Sequence, residues 1–401
     1  MSDPAVIAVV ALGITQITAW GTTLYSLGVL ARPIATDTQW SESLVYSGLT
    51  VGLLVAAIVS APIGRLLDRI GGRRVMTIGS GLTAVGLFAL SQVRDPVAYL
   101  AAWAVIGLAM RMTLYDAAFA ALVQITPSRG RRAISYLTLF GGFASSVFWP
   151  LGAWLNGAYG WRTTLIIFAG INLLLCLPLH WLGLARREVH ATSDPASVVA
   201  TPAATGSSDP PLEGRMRRRA MGLFALVLAS AAFVFGALAA HLVPLLEASG
   251  IGFAAAVTLA SLKGFAQVAG RVCELVWGRH IHPITLGRIA ILFLPLSFAV
   301  LAFGGASLAT AFLFTMLFGI TNGLTTIVRG AVPLALFGPK GYGEVLGILA
   351  TPYLLLNAVA PLIMALIVAR GGYAAATWAL VVASGFAFAA MEIMAAWHRR
   401  Q

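Results

Sequence analysis

The chain has 401 residues, of which 59% are hydrophobic and only 10% are charged. A soluble domain carries about 25% charged residues, so this composition excludes an ordinary water-facing surface and predicts an all-α membrane protein. The formal net charge of +12 does not indicate a nucleic-acid partner, because the basic residues fall in short clusters between apolar stretches.

Apolar stretches of about 20 residues, long enough to cross a bilayer, recur along the chain. A segment rich in Ser, Thr, Ala and Pro (188–219) separates two sets of six and is predicted to be a cytoplasmic linker. We therefore expect an N-terminal six-helix bundle at 1–187 and a C-terminal one at 220–401. The twelve predicted spans are, in chain order, 5–30, 44–63, 75–92, 98–123, 133–157, 163–184, 220–247, 253–277, 286–304, 308–337, 345–369 and 372–396.

The basic clusters indicate the orientation in the membrane. "DRIGGRR" (68–74), "SRGRR" (128–132) and "RMRRR" (215–219) lie in alternate connections between the predicted spans. Because Lys and Arg concentrate in cytoplasmic loops, we expect these connections and both termini in the cytoplasm, with the protein in a bacterial cytoplasmic membrane.

The two halves of the chain repeat one another. "GLAMRMTLYDAAFAALVQITP" (107–127) has the same length as "GITNGLTTIVRGAVPLALFGP" (319–339), and "GRLLD" (64–68) corresponds to "GRVCE" (270–274). Two pseudo-symmetric six-helix bundles are typical of transporters that bind substrate near the membrane midplane between the repeats.

The segment "GRLLDRIGGRR" (64–74) resembles the loop motif of the major facilitator superfamily (MFS), Gly-x-Leu-x-Asp-Arg-x-Gly-x-Arg-Arg. The resemblance implies the MFS fold over essentially the whole chain. A weaker likeness to the monocarboxylate and oxalate/formate branch comes from "QWS" (39–41) and "RRAISYLTLFGGFAS" (131–145). In that branch an eighth-helix arginine, here Arg271, binds substrate carboxylate. An aspartate often precedes it by four residues, where this chain has Gln267.

The loop motif has its own physical rationale. Asp68 can accept hydrogen bonds from helix-terminal N–H groups and from an arginine, and glycines permit a tight turn with close approach of backbones. We expect a conformational latch and not a substrate site, while topology and headgroup contact remain an alternative for the arginines. The latch residues are Gly64, Asp68, Arg69, Gly71, Arg73 and Arg74.

Two opposite charges lie in the fourth predicted span, where a charged side chain costs about 2.5–3.5 kcal/mol to insert. Arg111 and Asp116 are five residues apart, about 140° on a helix, so they do not share a face, although long side chains could still approach. Tyr115, four residues after Arg111, is better placed to line the same surface. One interpretation is a local ion pair that holds the helix to a neighbour. The other makes Arg111 an anion or coupling residue and Asp116 a proton carrier.

The eighth predicted span carries a polar stripe. Lys263, Gln267 and Arg271 are spaced by four residues and therefore lie on one side of the helix. Glu274 could neutralise Arg271 locally, whereas Lys263 is placed near mid-membrane and is expected to face a cavity. Together with Arg329 of the tenth span, these residues predict an excess of positive charge at depth that attracts anions.

The sequence predicts a secondary active transporter and not an enzyme. It has no nucleotide-binding Gly-rich Lys-Ser/Thr loop, no metal-spaced His/Glu cluster and no nucleophile elbow, so we expect no cofactor and no metal. The expected partners are a small-molecule substrate, protons and the lipid bilayer, with the protein functional as a monomer.

The substrate stays open between two classes. The cationic residues favour a small organic anion of the monocarboxylate type, coupled to protons. The alternative is proton-driven efflux of a drug or a metalloid such as arsenite, for which Cys273 offers a thiol. A channel or a membrane sensor is a further possibility, which the paired Gly/Pro-rich spans and the lack of an appended signalling domain favour less.

Overall fold

The computed structural model describes residues 3–186 and 211–398, and within these ranges the chain is helical without a β-strand. Most of the predicted linker lies outside the described residues, and its last part, 214–219, opens a helix. The α-helices are α1 Pro4–Thr22, α2 Leu27–Thr38, α3 Glu42–Ile58, α4 Ser60–Ile70, α5 Gly72–Gln92, α6 Pro96–Thr113, α7 Tyr115–Ile125, α8 Gly130–Gly142, α9 Ala144–Ile171, α10 Leu177–Gly183, α11 Gly214–Ala248, α12 Phe253–Trp277, α13 Pro283–Phe303, α14 Leu308–Phe337 and α15 Tyr342–His398.

Nine helical stretches of the described residues are long and apolar enough to cross a membrane, or ten if α3 and α4, bent by 55°, form one span. Two of these stretches, Pro127–Gly183 and Tyr342–His398, have 57 residues each. At 1.5 Å per residue they measure about 85 Å, more than two bilayer cores of about 30 Å. Their backbones leave the helical conformation at Gly160 (φ 77°) and Gly372 (φ 67°), so each can supply two spans. The all-α membrane fold is thus confirmed, and the exact count of twelve stays a prediction.

The chain divides into two compact units. Unit 1 comprises the described parts of Met1–Pro211 together with Pro333–Gly347, and unit 2 comprises Leu212–Val332 and the described part of Ile348–Gln401. The core of unit 1 surrounds α7, of which every residue except Gln124 is buried. The predicted division at 187 and 220 stays a prediction.

Glycines set the distance between neighbouring helices in unit 1. A Cβ added at Gly107 of α6 would meet the backbone carbonyl of Gly52 on α3, and a Cβ at Gly48 would meet the Trp103 ring. Small residues let membrane helices approach until their backbones touch. The resulting van der Waals contacts stabilise helix association in lipid, where the hydrophobic effect does not. The close approach also lets the Tyr99 hydroxyl donate to the carbonyl of Val45, at 2.6 Å.

We expect the substitution Gly107→Ala to destabilise the folded protein by about 1–3 kcal/mol, because the added methyl group meets backbone that cannot move aside alone. Thermal denaturation in detergent, followed by size-exclusion chromatography, measures the change. The matched control is Gly157→Ala on α9, where an added Cβ has nothing within 4 Å. Equal melting temperatures for the two variants would contradict the packing argument.

Candidate functional site

A buried ion pair joins Arg111 and Asp116 in unit 1. The two side chains are 4% and 2% exposed. Helix α6 ends at Thr113, Leu114 is extended (φ −79°, ψ −172°), and α7 begins at Tyr115. The local ion pair, one of the two interpretations of these charges, is therefore present, although the residues would lie about 140° apart on a continuous helix. The break at Leu114 brings the carboxylate to the guanidinium.

Polar side chains around this break are bound by groups of other helices. The Gln16 amide, fully buried on α1, donates to the carbonyl of Thr113 at 2.6 Å. The Gln16 carbonyl in turn accepts from the indole N–H of Trp20 at 3.2 Å. The Tyr115 hydroxyl donates to the carbonyl of Thr138 at 3.4 Å. A carbonyl released by the break therefore has a protein donor, as buried backbone groups require.

The stripe predicted on the eighth span lies on α12 in unit 2, which runs without interruption. Lys263 and Gln267 are half-buried, and their backbones pack against Gly319 and Gly323 of α14, where an added Cβ would meet them. The Lys263 ammonium lies 5.7 Å from the centre of the Phe318 ring, a cation–π contact.

Two arginines of unit 2 lie at helix α14: Arg271 of α12 contacts it, and Arg329 is one of its residues. Arg271 is 3% exposed, and its Nη2 donates to the hydroxyl of Thr326 at 3.3 Å. Arg329 lies one turn after Thr326, with its guanidinium 4.5 Å from the centre of the Tyr353 ring. Thr326 and Arg329 are three residues apart and therefore share one face of α14. Arg271, which binds Thr326, thus lies at the same face as Arg329. Glu274 is also buried.

The loop motif binds a helix N-terminus within unit 1. The two carboxylate oxygens of Asp68 accept from the N–H groups of Gly343 and Glu344 at 2.9 and 2.8 Å, in the first turn of α15. Arg65 adds a 3.6 Å ion pair with Glu344. Gly64 is required here, because an added Cβ would meet the carbonyl of Gly343. Asp68 was expected to accept hydrogen bonds from N–H groups at a helix terminus, and the N–H groups of Gly343 and Glu344 are of that kind.

The remaining motif residues form the turn between α4 and α5. Gly71 has φ 85°, in the region that favours glycine. Arg73 lies 3.9 Å from the Trp181 ring centre and donates to the Trp181 carbonyl at 2.7 Å. Arg69 and Arg74 are exposed. Arg73 therefore contacts protein, whereas Arg69 and Arg74 are open to solvent or lipid headgroups.

Sequence reasoning missed two polar residues of unit 1. The Gln124 amide donates to the carbonyl of Leu67 and accepts from the N–H of Gly72, both at 2.9 Å, and so clamps the motif turn. His180 is 1% exposed, and its ring nitrogens lie 2.8 Å from the Ser80 hydroxyl and 2.9 Å from the Thr15 hydroxyl. His180 could have been found from the sequence, because it is a titratable residue inside the predicted span 163–184.

Two further polar residues of unit 2, His241 and Asn357, have hydrogen-bond partners within that unit. His241 contacts the Tyr373 hydroxyl at 3.3 Å and the carbonyl of Pro361 at 3.2 Å, and Asn357 donates to the carbonyl of Ala232 at 3.4 Å. Across the described part of the chain, His, Cys, Asp and Glu form no group of three suited to a metal ion. Cys273 is exposed.

Comparison with known proteins assigns the class. The family model described as Major Facilitator Superfamily matches residues 11–326. The chain therefore belongs to the major facilitator superfamily of membrane transporters, which confirms the family predicted from the loop motif.

Particular relatives are more distant. A gallate transporter of Pseudomonas putida is 27% identical over 179 residues, which cover 43% of this chain and 39% of that relative. The human organic anion transporter TETRAN has a TM-score of 0.69 and 20% identity, with 98% of this chain and 100% of that chain covered. A variant of the E. coli fucose:proton symporter FucP has a TM-score of 0.68 and 14% identity, with 98% and 99% covered. The two structures establish the fold.

We expect Asp68→Ala to expose the first turn of α15, because the N–H groups of Gly343 and Glu344 lose their acceptor. Hydrogen–deuterium exchange with mass spectrometry should show about tenfold faster exchange for a peptide that contains them, equivalent to about 1.4 kcal/mol. The control is Asp95→Ala, since Asp95 caps α6 by accepting from Ala98 at 2.9 Å. That control should leave the α15 peptide unchanged, and equal exchange of this peptide in the Asp68 variant and the wild type would refute the latch contact.

Proposed function

We propose that the protein is a secondary active transporter that moves a small organic anion of the monocarboxylate class, together with protons, by alternating access. The observation that carries the proposal is the buried Arg111–Asp116 pair at a helix break. The names of the relatives support an organic anion, since one is a gallate transporter and another an organic anion transporter. The symporter neighbour supports proton coupling as a mode this fold can host.

Charge supports an anionic substrate. Unit 2 places Lys263, Arg271 and Arg329 on or against α14, with Glu274 as the acidic residue of the same stripe. Inside a membrane such an excess of cations is costly unless an anion or a π-face offsets it. Phe318 and Tyr353 provide π-faces, and a substrate carboxylate would provide the anion. The guanidinium also matches carboxylate geometry better than an ammonium does.

The Arg111–Asp116 pair suggests how the substrate and a proton are coupled. When Asp116 is ionised, it neutralises Arg111 and competes with any other carboxylate for the guanidinium. When Asp116 takes up a proton, Arg111 keeps its charge and can bind the substrate carboxylate instead. The local net charge is zero in both states, so neither state leaves an uncompensated charge at depth. Anion binding is then linked to protonation of one carboxyl group.

We expect Asp116→Asn to uncouple the two solutes, because the amide imitates the protonated acid but cannot release a proton. In proteoliposomes the variant should retain exchange of labelled for unlabelled benzoate within about threefold of wild type. The amount of labelled benzoate that the variant accumulates under an imposed pH gradient should fall by more than about tenfold relative to wild type. Accumulation at the wild-type level would remove Asp116 as the proton carrier.

The matched control for this experiment is Glu392→Gln. Glu392 forms a bidentate pair with Arg288 at 2.6 and 2.8 Å, but both side chains are about one-third exposed. Neutralising this carboxylate should leave both exchange and accumulation unchanged. Size-exclusion profiles of both variants show whether the folded fraction is preserved, since breaking a buried pair can cost about 3–5 kcal/mol.

We expect Lys263→Gln to raise the KM for anion uptake about tenfold, with a smaller change in maximal rate, because the attraction is lost and the polar stem is kept. The control is Lys340→Gln, an exposed lysine outside α12. Uptake of a panel of carboxylates at several concentrations measures both parameters. Unchanged KM values would exclude Lys263 from anion binding, and transport of drugs or metalloids without any carboxylate would favour the efflux alternative.

The remaining expectations complete the proposal. The protein would lie in a bacterial cytoplasmic membrane as a monomer, with six-helix bundles at 1–187 and 220–401, a linker at 188–219 and both termini in the cytoplasm. Gln267 would add a neutral contact beside Lys263 and Arg271, and the loop motif would act as the conformational latch.

A further inference from the structure

Three helical stretches of unit 1 are interrupted in the region of Arg111. Helix α1 stops at Thr22 and α2 starts at Leu27, and α6 and α7 are separated by the extended Leu114. Between α8 and α9, Phe143 keeps a right-handed conformation (φ −90°, ψ −1°), so this interruption is slight. Each interruption lies inside a helical stretch long and apolar enough to span a membrane. At membrane depth, interrupted helices occur where their backbone is buried in protein or lines a cavity, and transporters use them to build substrate sites.

Aromatic side chains flank the first two interruptions and contact one another and Trp149, which lies six residues after Phe143 on α9. The ring centres of Trp149 and Tyr25 are 6.2 Å apart, those of Tyr25 and Trp20 are 6.1 Å apart, and those of Trp20 and Tyr115 are 5.3 Å apart. We call these four residues the aromatic ladder. Trp149 is 49% exposed, Tyr25 and Trp20 are half-buried, and Tyr115 is 6% exposed. The aromatic ladder thus leads from an exposed ring to a buried ring that neighbours Asp116 in the chain.

Buried contacts fix the orientation of the two inner rings. The indole N–H of Trp20 is bound by Gln16, and Gln16 is anchored on the carbonyl of Thr113 beside the Arg111–Asp116 pair. The Tyr115 hydroxyl occupies the space above Gly141, where an added Cβ would collide with it. Rings that are already oriented lose little conformational entropy when a ligand binds, which is the usual benefit of a preformed site.

We infer that the aromatic ladder binds the ring of the substrate and that the substrate is a planar aromatic carboxylate. Its ring would lie against Trp20 and Tyr115, and its carboxylate would bind Arg111. This inference rests on the proposed anion transport and adds the substrate class. Ring-on-ring contacts add to simple apolar burial, and their strength corresponds to about twofold to tenfold in affinity. A saturated ring of similar size and equal charge lacks this contribution.

The experiment compares benzoate with cyclohexanecarboxylate, which differ mainly in the aromatic character and planarity of the ring. Each acid competes for uptake of labelled benzoate into proteoliposomes that contain the full chain. The wild type should favour benzoate by at least about threefold. Trp20→Leu should bring the ratio close to one while uptake of labelled cyclohexanecarboxylate persists.

The matched control is Trp154→Leu on α9, which removes a 62% exposed indole of the same unit and should keep the wild-type ratio. Trp20→Phe keeps a ring without the N–H group and should retain a preference above about twofold, which gives a second reading if the leucine variant folds poorly. Equal competition by the two acids in the wild type overturns the inference and leaves anion transport standing. Absence of uptake for every carboxylate overturns the proposed function and the inference together.

Discussion

The hydrocarbon core of a membrane offers no hydrogen-bond partner, so every polar group that enters it must be satisfied by the protein itself. This constraint explains the arrangement around Leu114. The extended residue interrupts a helix, and the carbonyl of Thr113 is then bound by the Gln16 amide. The N–H of Leu114 still donates to the carbonyl of Met110, at 3.0 Å. The break is tolerated because its polar groups have partners, and it makes the ion pair between Arg111 and Asp116 possible.

Close packing decides where charges can lie. On α14, Gly319 and Gly323 allow the backbone of α12 to approach until Lys263 and Gln267 touch it. At that separation the Lys263 ammonium lies over the ring of Phe318, which belongs to a buried aromatic cluster. A larger residue at Gly319 would move the two helices apart and leave the cation without its π-face. Steric and electrostatic roles are therefore joined in the same short segment of α14.

The sequence predicted the helices, the family and the charged residues within the membrane spans. The signals for these three features are local: hydropathy, a loop motif and ionisable residues inside apolar stretches. The sequence offered the Arg111–Asp116 ion pair as one of two interpretations but could not predict the helix break beside it, since Leu114 is neither glycine nor proline and nothing in its surroundings indicates a break. For Asp68 the kind of donor was predictable, yet the donors themselves lie 275 and 276 residues further along the chain. The aromatic ladder was missed for a similar reason, because its rings come from three separate stretches that each look like ordinary apolar helix.

The two units hold their charges in different ways, and the difference has a chemical consequence. Unit 1 contains a neutral pair. In the proposed cycle, a proton on Asp116 and a carboxylate on Arg111 would add together, so the net charge would stay zero. Unit 2 contains three cations and the buried Glu274; Lys263 and Arg329 lie against aromatic rings, and Arg271 donates to the Thr326 hydroxyl. A neutral pair is suited to binding a proton and an anion together, whereas an excess of cations is suited to attracting anions. Under the proposed function, proton coupling would therefore depend mainly on unit 1, and the preference for anions over cations mainly on unit 2.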